Sequence, residues 1–433
     1  MRRPCSRTGK QFFSLPIEYS CWYRPTSKEQ ILEVLHVAFS SSGGAGRTAS
    51  LLKDSQNKMG IKADLEVVTS NGIPSVLSQH PNLVSRALID FFLVRNTKSG
   101  PLFSLYRSNG VMRPEIDFKK SYGIFNFHWM PGAVDLLSPL PPNLEGIPQI
   151  WTLHDMWAFT GGCHHSDGCI NFQTKCQSCP QVRGIYKNKV ARSLEVKKRY
   201  FSNNQKIGVI APSQWIYDVA SSSSVLENVR LERIPNPIHD DFFVQYDSQL
   251  IRKQLNISDD FVIGFSASNL DDEVKGFKQF IQLVNELSIA RPNQRISVLI
   301  IGNGKCPKSI GCFRVNQVTD LSDSKAIAEC FAAMNVFVST SSNETAPLVV
   351  SEALAVGLPI ACFDNTGLSE MTNSGKNGAL ISSTSDFVDF INRLLLDTDL
   401  YRSYSRSAKM YAKETHHSES VSQKYIDFYE SFL

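Results

Sequence analysis

The sequence predicts an α/β protein built as two doubly wound domains that face a central cleft. Short apolar runs recur between helix-like or loop segments, which is the pattern of parallel strands joined by crossover helices. The pattern breaks at Ile234-Pro235-Asn236-Pro237 and then restarts. At 433 residues the chain also exceeds what one core ordinarily organises, so two domains are expected.

Taken in order, the first strand falls at 32–39 (LEVLHVAF), bounded by Ser and Gly. A helix follows around 49–59, then a strand at 65–69. Apolar runs at 123–128 (GIFNFH), 149–153 (QIWTL) and 206–211 (KIGVIA) supply three more strands. The two prolines of 234–237 place the boundary, giving a first domain over 32–235 and a second over 236–415. In the second, strands are expected at 261–267, 297–301, 334–338 and 358–363, with a helix at 277–287. The last segment, 416–433, reads as a helix able to pack back on the first domain. Residues 1–31 begin MRRPCSRTGK, lack the apolar region of a secretory signal, and read as a disordered or non-native extension or an Arg- and Ser-rich transit peptide.

The bulk numbers exclude several classes. A formal net charge of +4 does not suggest wholesale nucleic-acid binding. No apolar run approaches the ~18–20 residues of a membrane span. Ten cysteines without a signal sequence argue for thiols in a reducing cytosol.

The most informative segment is SSNETAPLVVSEALAVGLP, residues 341–359. A strand runs into a polar loop, Pro347 sits where a first helical position is expected, and the helix stops at Gly357 with Pro359 beyond. Such a helix aims the backbone around Ala346, Pro347 and Leu348, and its positive end, at the sheet's carboxyl edge, where a phosphate or diphosphate can bind. Carboxylates there would repel phosphate, so Glu344 and Glu352 are expected to accept hydrogen bonds from ligand hydroxyls. The bland alternative is a solvated loop residue and an ordinary helix charge. Lys275-Gly276, just before a helix in the same domain, can reach a phosphate in the same cleft.

Glu344 and Glu352 with the following ALAVGLPI resemble the E-x7-E motif of family 4 retaining glycosyltransferases. Lys275-Gly276 is similar to that family's diphosphate-binding lysine, and Ile234–Pro237 to its interdomain IPNP element. The resemblance implies a GT-B fold of two Rossmann-like domains, a nucleotide-diphosphate sugar donor held mainly by the second, and a saccharide or lipid-linked saccharide acceptor. It implies catalytic roles for His154, Lys275 and Glu344, and donor contacts from Gly43, Gly44, Ala346, Pro347, Leu348 and Glu352. The family often carries an arginine shortly before its lysine. Here the stretch is Ser268-Asn269-Leu270, so more of the leaving group's charge falls to Lys275 and the helix amides. No cofactor is expected to be required for catalysis.

In the first half, Gly44-Ala45-Gly46-Arg47-Thr48-Ala49 formally matches the dinucleotide fingerprint, with Asp64 and Glu66 about twenty residues on. An NAD(P)-dependent enzyme is therefore an alternative. Three serines delay the glycines, however, and both acids fall at the start of the second strand rather than its carboxyl end. His128 and His154 end two of the expected strands; the first reads as structural, the second as a sugar contact. WTLHDMWAFTGGCHH and the cysteines after it resemble a bacterial subgroup that builds colanic acid and related exopolysaccharides. Residues 187–199 (KNKVARSLEVKKR) carry six positive side chains against one Glu, either a solvated helix face or a peripheral contact with anionic lipid at the inner membrane face.

Cys163, Cys169, Cys176 and Cys179 follow the spacing C-x5-C-x6-C-x2-C. The closing C-x2-C is half of a typical structural zinc site. Disulfides and free thiols stay open, as does a zinc-braced nucleic-acid-binding protein. The expected role of this loop, 163–180, is to brace the acceptor side of the cleft.

Overall fold

The computed structural model describes residues 32–69, 103–105, 122–131, 136, 146–182, 187–257, 261–321 and 323–433. The extension expected over 1–31 lies outside them. The first half comprises β1 (Glu33–Ser40), α1 (Gly43–Lys58), β2 (Lys62–Thr69), β3 (Ile124–His128), β4 (Gln149–Thr152), α2 (Lys187–Asn203), β5 (Ile207–Ala211), α3 (Gln214–Ser221) and β6 (Arg230–Arg233). Its six strands pair in the order β2-β1-β3-β4-β5-β6, all parallel. β3 and β5 are buried along their whole length, as strands covered on both faces must be.

The second half contains α4 (Ser248–Gln254), β7 (Phe261–Asn269), α5 (Phe277–Ala290), β8 (Ile296–Asn303), β9 (Ser309–Ile310), β10 (Phe313–Val318), α6 (Ser324–Ala332), β11 (Val336–Ser339), α7 (Leu348–Val356), β12 (Ile360–Phe363), β13 (Gly378–Ile381), α8 (Thr384–Leu396), α9 (Thr398–His416) and α10 (Ser418–Glu430). Its sheet runs β13-β12-β11-β7-β8-β10-β9, parallel except for the short edge strand β9 against β10. Both sheets are doubly wound.

Two local expectations need correction. α1 begins at Gly43, not near residue 49, and β1 extends to Ser40, so only Ser41 and Ser42 separate strand from helix. The delay invoked against a dinucleotide loop therefore disappears. Gly46 permits this tight start, because a Cβ there would lie 2.3 Å from the Ser40 carbonyl oxygen. Likewise Pro347 is the N-cap of α7 rather than its first helical residue, held at φ −69° and ψ 114°. It cannot cap through its side chain, so among the described residues the first turn of α7 has no side-chain cap.

After α9, which packs on α7, the chain crosses back to the first sheet. Val421, Tyr425, Phe428 and Tyr429 of α10 join Leu52, Ile124, Ile150 and Ile210 in one buried cluster. Each fully buried aliphatic side chain of this kind stabilises by about 1.5–3 kcal/mol. Tyr429 also reaches the strands chemically, its hydroxyl accepting from Asn126 Nδ2 at 2.7 Å.

Candidate active site

In the first sheet β1 is flanked by β2 and β3, and in the second β7 is flanked by β8 and β11. The winding reverses at these points, where diverging crossovers leave a crevice beyond the carboxyl ends. A cleft of about 950 Å³ opens there, lined by the turn after β1, by Ser266–Ser268 of β7 and by the loop from β11 into α7. It gathers Gly43, Gly44, His154, Lys275, Glu344, Ala346, Pro347, Leu348 and Glu352. Gly44 brings the walls close, since a Cβ on it would sit 4.0 Å from Leu348 Cδ1.

The second-domain wall is built from two loops pinned together. Gly276 adopts φ +73°, and a Cβ there would lie 2.0 Å from the Thr340 carbonyl oxygen, so only glycine allows this approach. Thr340 Oγ1 donates to the Gly276 carbonyl at 2.7 Å, and the Ser342 amide to the Val274 carbonyl at 2.8 Å. This presents Lys275, whose Nζ lies 2.7 Å from Glu344 Oε1. Burial opposes the Lys275 charge, but Glu344 beside it outweighs burial and raises its pKa above the ordinary lysine value. Glu344 is itself held by its backbone, its amide donating to Thr366 Oγ1 at 2.9 Å. The buried Thr345 hydroxyl in the same lining has no hydrogen-bond partner among the described residues.

Glu352 lies one turn into α7 with its side chain 3% exposed, and it forms an ion pair with Arg47 of α1 on the opposite wall. Arg47 is 39% exposed by side chain, and burial lowers its pKa. Sequence reasoning passed over Arg47, although it stands in the quoted glycine stretch. A cation one turn into a helix starting at a sheet's carboxyl edge is the signal that could have found it.

The rest of the first-domain wall carries a line of neutral histidines. His154 Nε2 lies 3.1 Å from His128 Nδ1, and His128 Nε2 lies 3.1 Å from His36 Nδ1. Burial pushes His154 and His36 down to about 4 and His128 well below its usual value, so all three are neutral at pH 7. His128, read as structural from its isolation in sequence, is the middle of a chain that ends in the cleft. Beside it Asp155 is buried yet ionised. Burial raises its pKa, but His164 Nδ1 at 2.5 Å and the Trp157 amide at 2.8 Å hold it below the ordinary carboxylate value, and Trp129 Nε1 also donates to it.

The four cysteines stand apart from the donor cleft around a cavity of about 10 Å³. Cys163, Cys176 and Cys179 are buried among Phe159, Phe172 and Val190, and all four are free thiols. Burial pushes Cys163 up to about 12 and Cys176 up to about 11. A four-thiolate set suits zinc in chemistry. Among the described residues, however, no group of three or more His, Cys, Asp or Glu side chains is arranged to hold a metal ion. An Asp-x-Asp triplet, the pattern that can place a divalent ion on a diphosphate, does occur at Asp397-Thr398-Asp399. Asp397 instead accepts from the Leu400 amide at 2.8 Å as the cap of α9, and neither acid lines the cleft.

The basic stretch also changes meaning. Lys197, counted there as part of a charged face, is fully buried, donates to the carbonyls of Trp157 and Thr160, and sits 3.9 Å from the Trp157 ring centroid. Burial lowers it to about 7. Asp64 accepts from the Tyr122 hydroxyl at 2.9 Å and pairs in register with Leu35, far from the carboxyl edge a ribose would need. Among the described residues no helix is long and apolar enough to cross a membrane.

Residues 247–411 match the family described as Glycosyl transferases group 1. The putative colanic acid biosynthesis glycosyl transferase WcaC of Escherichia coli (strain K12) is 20% identical over 397 residues, 86% of this chain and 90% of that one. Anabaena HepE in complex with UDP superposes with a TM-score of 0.57 at 15% identity, over 92% of this chain and 100% of that chain. Sucrose-phosphate synthase from Thermosynechococcus elongatus does so with a TM-score of 0.59 at 16% identity, over 92% and 98%. The shared fold is GT-B.

Proposed function

We propose that the chain, whose residues 247–411 match the Glycosyl transferases group 1 model, is a glycosyltransferase that moves a sugar from a nucleoside-diphosphate sugar to an acceptor hydroxyl with retention of anomeric configuration. The observation that carries this reading is the charge arrangement of the cleft. Two cations, Lys275 and Arg47, and two carboxylates, Glu344 and Glu352, face one space and neutralise each other pairwise. A diphosphate supplies the anionic oxygens to replace the carboxylates as partners of both cations. The freed carboxylates then accept from hydroxyls, Glu352 from the ribose and Glu344 from the sugar. Arg47, reaching in from the first domain, provides the second positive charge that Ser268-Asn269-Leu270 does not.

In the transfer, the bond from the anomeric carbon to the diphosphate oxygen breaks and its electron pair leaves with the diphosphate. Lys275, Arg47 and the first amides of α7 stabilise that charge where it develops. The acceptor hydroxyl bonds to the same face of the anomeric carbon, and its proton passes to the departing phosphate oxygen. The relative's name supports a cell-surface polysaccharide as product. A saccharide or lipid-linked saccharide then serves as acceptor, and exposed basic residues of α2 such as Arg192 and Arg199 offer a peripheral contact with anionic lipid.

Thermal stabilisation by nucleoside diphosphates, but not by NAD or NADP, tests the donor class. Lys275→Ala should slow transfer roughly ten- to a hundredfold, the loss of one charged contact of about 1.5–3 kcal/mol. Stabilisation by the dinucleotide alone, or wild-type rates in that variant, would overturn the reading.

A further inference from the structure

The neutral histidine chain does not stop at His36. His36 Nε2 lies 2.9 Å from the side-chain amide of Gln56, with the amide oxygen nearer. Gln56 is fully buried on α1 and sits beside the Tyr429 hydroxyl of α10. That hydroxyl accepts from Asn126 Nδ2 at 2.7 Å, and Asn126 Oδ1 accepts from Thr152 Oγ1 at 2.9 Å. A continuous buried line thus runs from the C-terminal helix through Gln56, His36 and His128 to His154 in the cleft.

A neutral imidazole carries one N–H and one lone pair. Three imidazoles in series must therefore all point their protons the same way, and the end group selects which way. With the Gln56 oxygen on His36, the amide nitrogen is buried without a hydrogen-bond partner among the described residues. An orphaned buried donor of this kind is destabilising, because its lost hydration is not replaced. The oxygen and nitrogen of an amide are told apart by their network, not by their shape. A half-turn of the amide removes the orphan. Its nitrogen then donates to His36 Nε2, and its oxygen accepts from the Tyr429 hydroxyl, whose own oxygen already accepts from Asn126. His36 must then donate from Nδ1 to His128 Nε2, and His128 from Nδ1 to His154 Nε2. With Nε2 so occupied, His154 keeps its proton on Nδ1.

We propose that Tyr429, Gln56, His36 and His128 form a polarised relay that locks His154 with its proton on Nδ1, so that this wall of the cleft donates a hydrogen bond to an oxygen of the bound sugar. Gln56, His36 and His128 are positioning residues, and His154 alone touches substrate. The relay rests on the glycosyltransferase reading for its substrate, but not for its geometry. It also gives α10 a role at the site from which it is far removed in sequence, because the hydroxyl that orients the whole line belongs to that helix.

The test uses the full chain labelled with ¹⁵N-histidine, with His154→Asn identifying the His154 resonances. Long-range ¹H–¹⁵N spectra should show His154 protonated on Nδ1 and bare on Nε2. Gln56→Glu is near-isosteric but accepts from both neighbours, so it should turn the chain around and move the His154 proton to Nε2. Its kcat/KM should fall roughly tenfold or more while the affinity for the nucleoside diphosphate alone stays as in wild type. Gln56→Leu should leave the tautomer mixed. A wild-type His154 bare on Nδ1 overturns the proposal, as does a Gln56→Glu protein with unchanged tautomer and rate. Failure of the wild type to bind any nucleoside diphosphate would instead strike the proposed function, leaving the tautomer result standing by itself.

Discussion

The two walls of the cleft solve opposite problems. On the second-domain side, Lys275 and Glu344 keep full charges by pairing at 2.7 Å where solvent still reaches them. On the first-domain side, His36, His128 and His154 are held neutral by burial and joined in a line. A charged wall can exchange partners when a charged ligand arrives. A buried line of neutral, hydrogen-bonded imidazoles cannot, and its value lies in presenting one fixed donor or acceptor. Among the described residues, Arg47 and Glu352 clasp the two walls together through an ion pair.

The largest expected effect separates the walls by pH. His36 and His154 titrate in the unfolded chain near 6.5 but in the folded protein only near 4. Unfolded chains therefore bind more protons across that window, and stability should fall as pH drops from about 6.5 to 4. Each histidine contributes on the order of 3 kcal/mol. Urea titrations at pH 7 and pH 4.5 would measure it; equal stabilities would mean that the chain is not neutral. Next in size is Arg47→Ala, which leaves Glu352 buried without its cation. Donor affinity should weaken about ten- to a hundredfold, corresponding to ~1.5–3 kcal/mol. Tighter binding, read by calorimetry, would show that Arg47 only restrains Glu352.

Smaller effects concern the surroundings. Cys163, Cys176 and Cys179, buried with raised thiol pKa values, should resist alkylation in the folded protein while exposed Cys312 reacts. Fast labelling of Cys163 at neutral pH would remove the rigid loop behind His164. Least is expected from Glu370→Ala. Glu370 of the second domain accepts from the Gln214 amide at 2.9 Å and the Trp215 amide at 3.3 Å, satisfying the start of α3 in the first. The exposed setting limits the loss to about 0.5–1 kcal/mol, measurable as a small drop in Tm.

What could be read along the chain is whatever depends on neighbours in sequence. Alternating apolar runs, Pro235 and Pro237, and the stop at Gly357 suffice for two doubly wound sheets, because backbone geometry and solvent exposure act over a few residues. The same locality placed Lys275, Glu344 and Glu352 at carboxyl edges, where free amides and loops collect charge. It misjudged the start of α1, since whether a glycine opens a helix depends on how closely Ser40 approaches it.

What only the tertiary structure decided is which group meets which. Lys275 and Glu344 are 69 positions apart, and Arg47 and Glu352 are 305. His36 finds His128 across 92 positions, and Asn126 finds Tyr429 across 303. No spacing rule spans such separations, because these pairs exist only once β1, β3 and β4 lie side by side and the last helix has crossed back. Burial then converts residue type into chemistry. The same sheet packing that makes three histidines neutral makes Lys197 of the basic stretch a buried strut and leaves Arg47 facing the cleft.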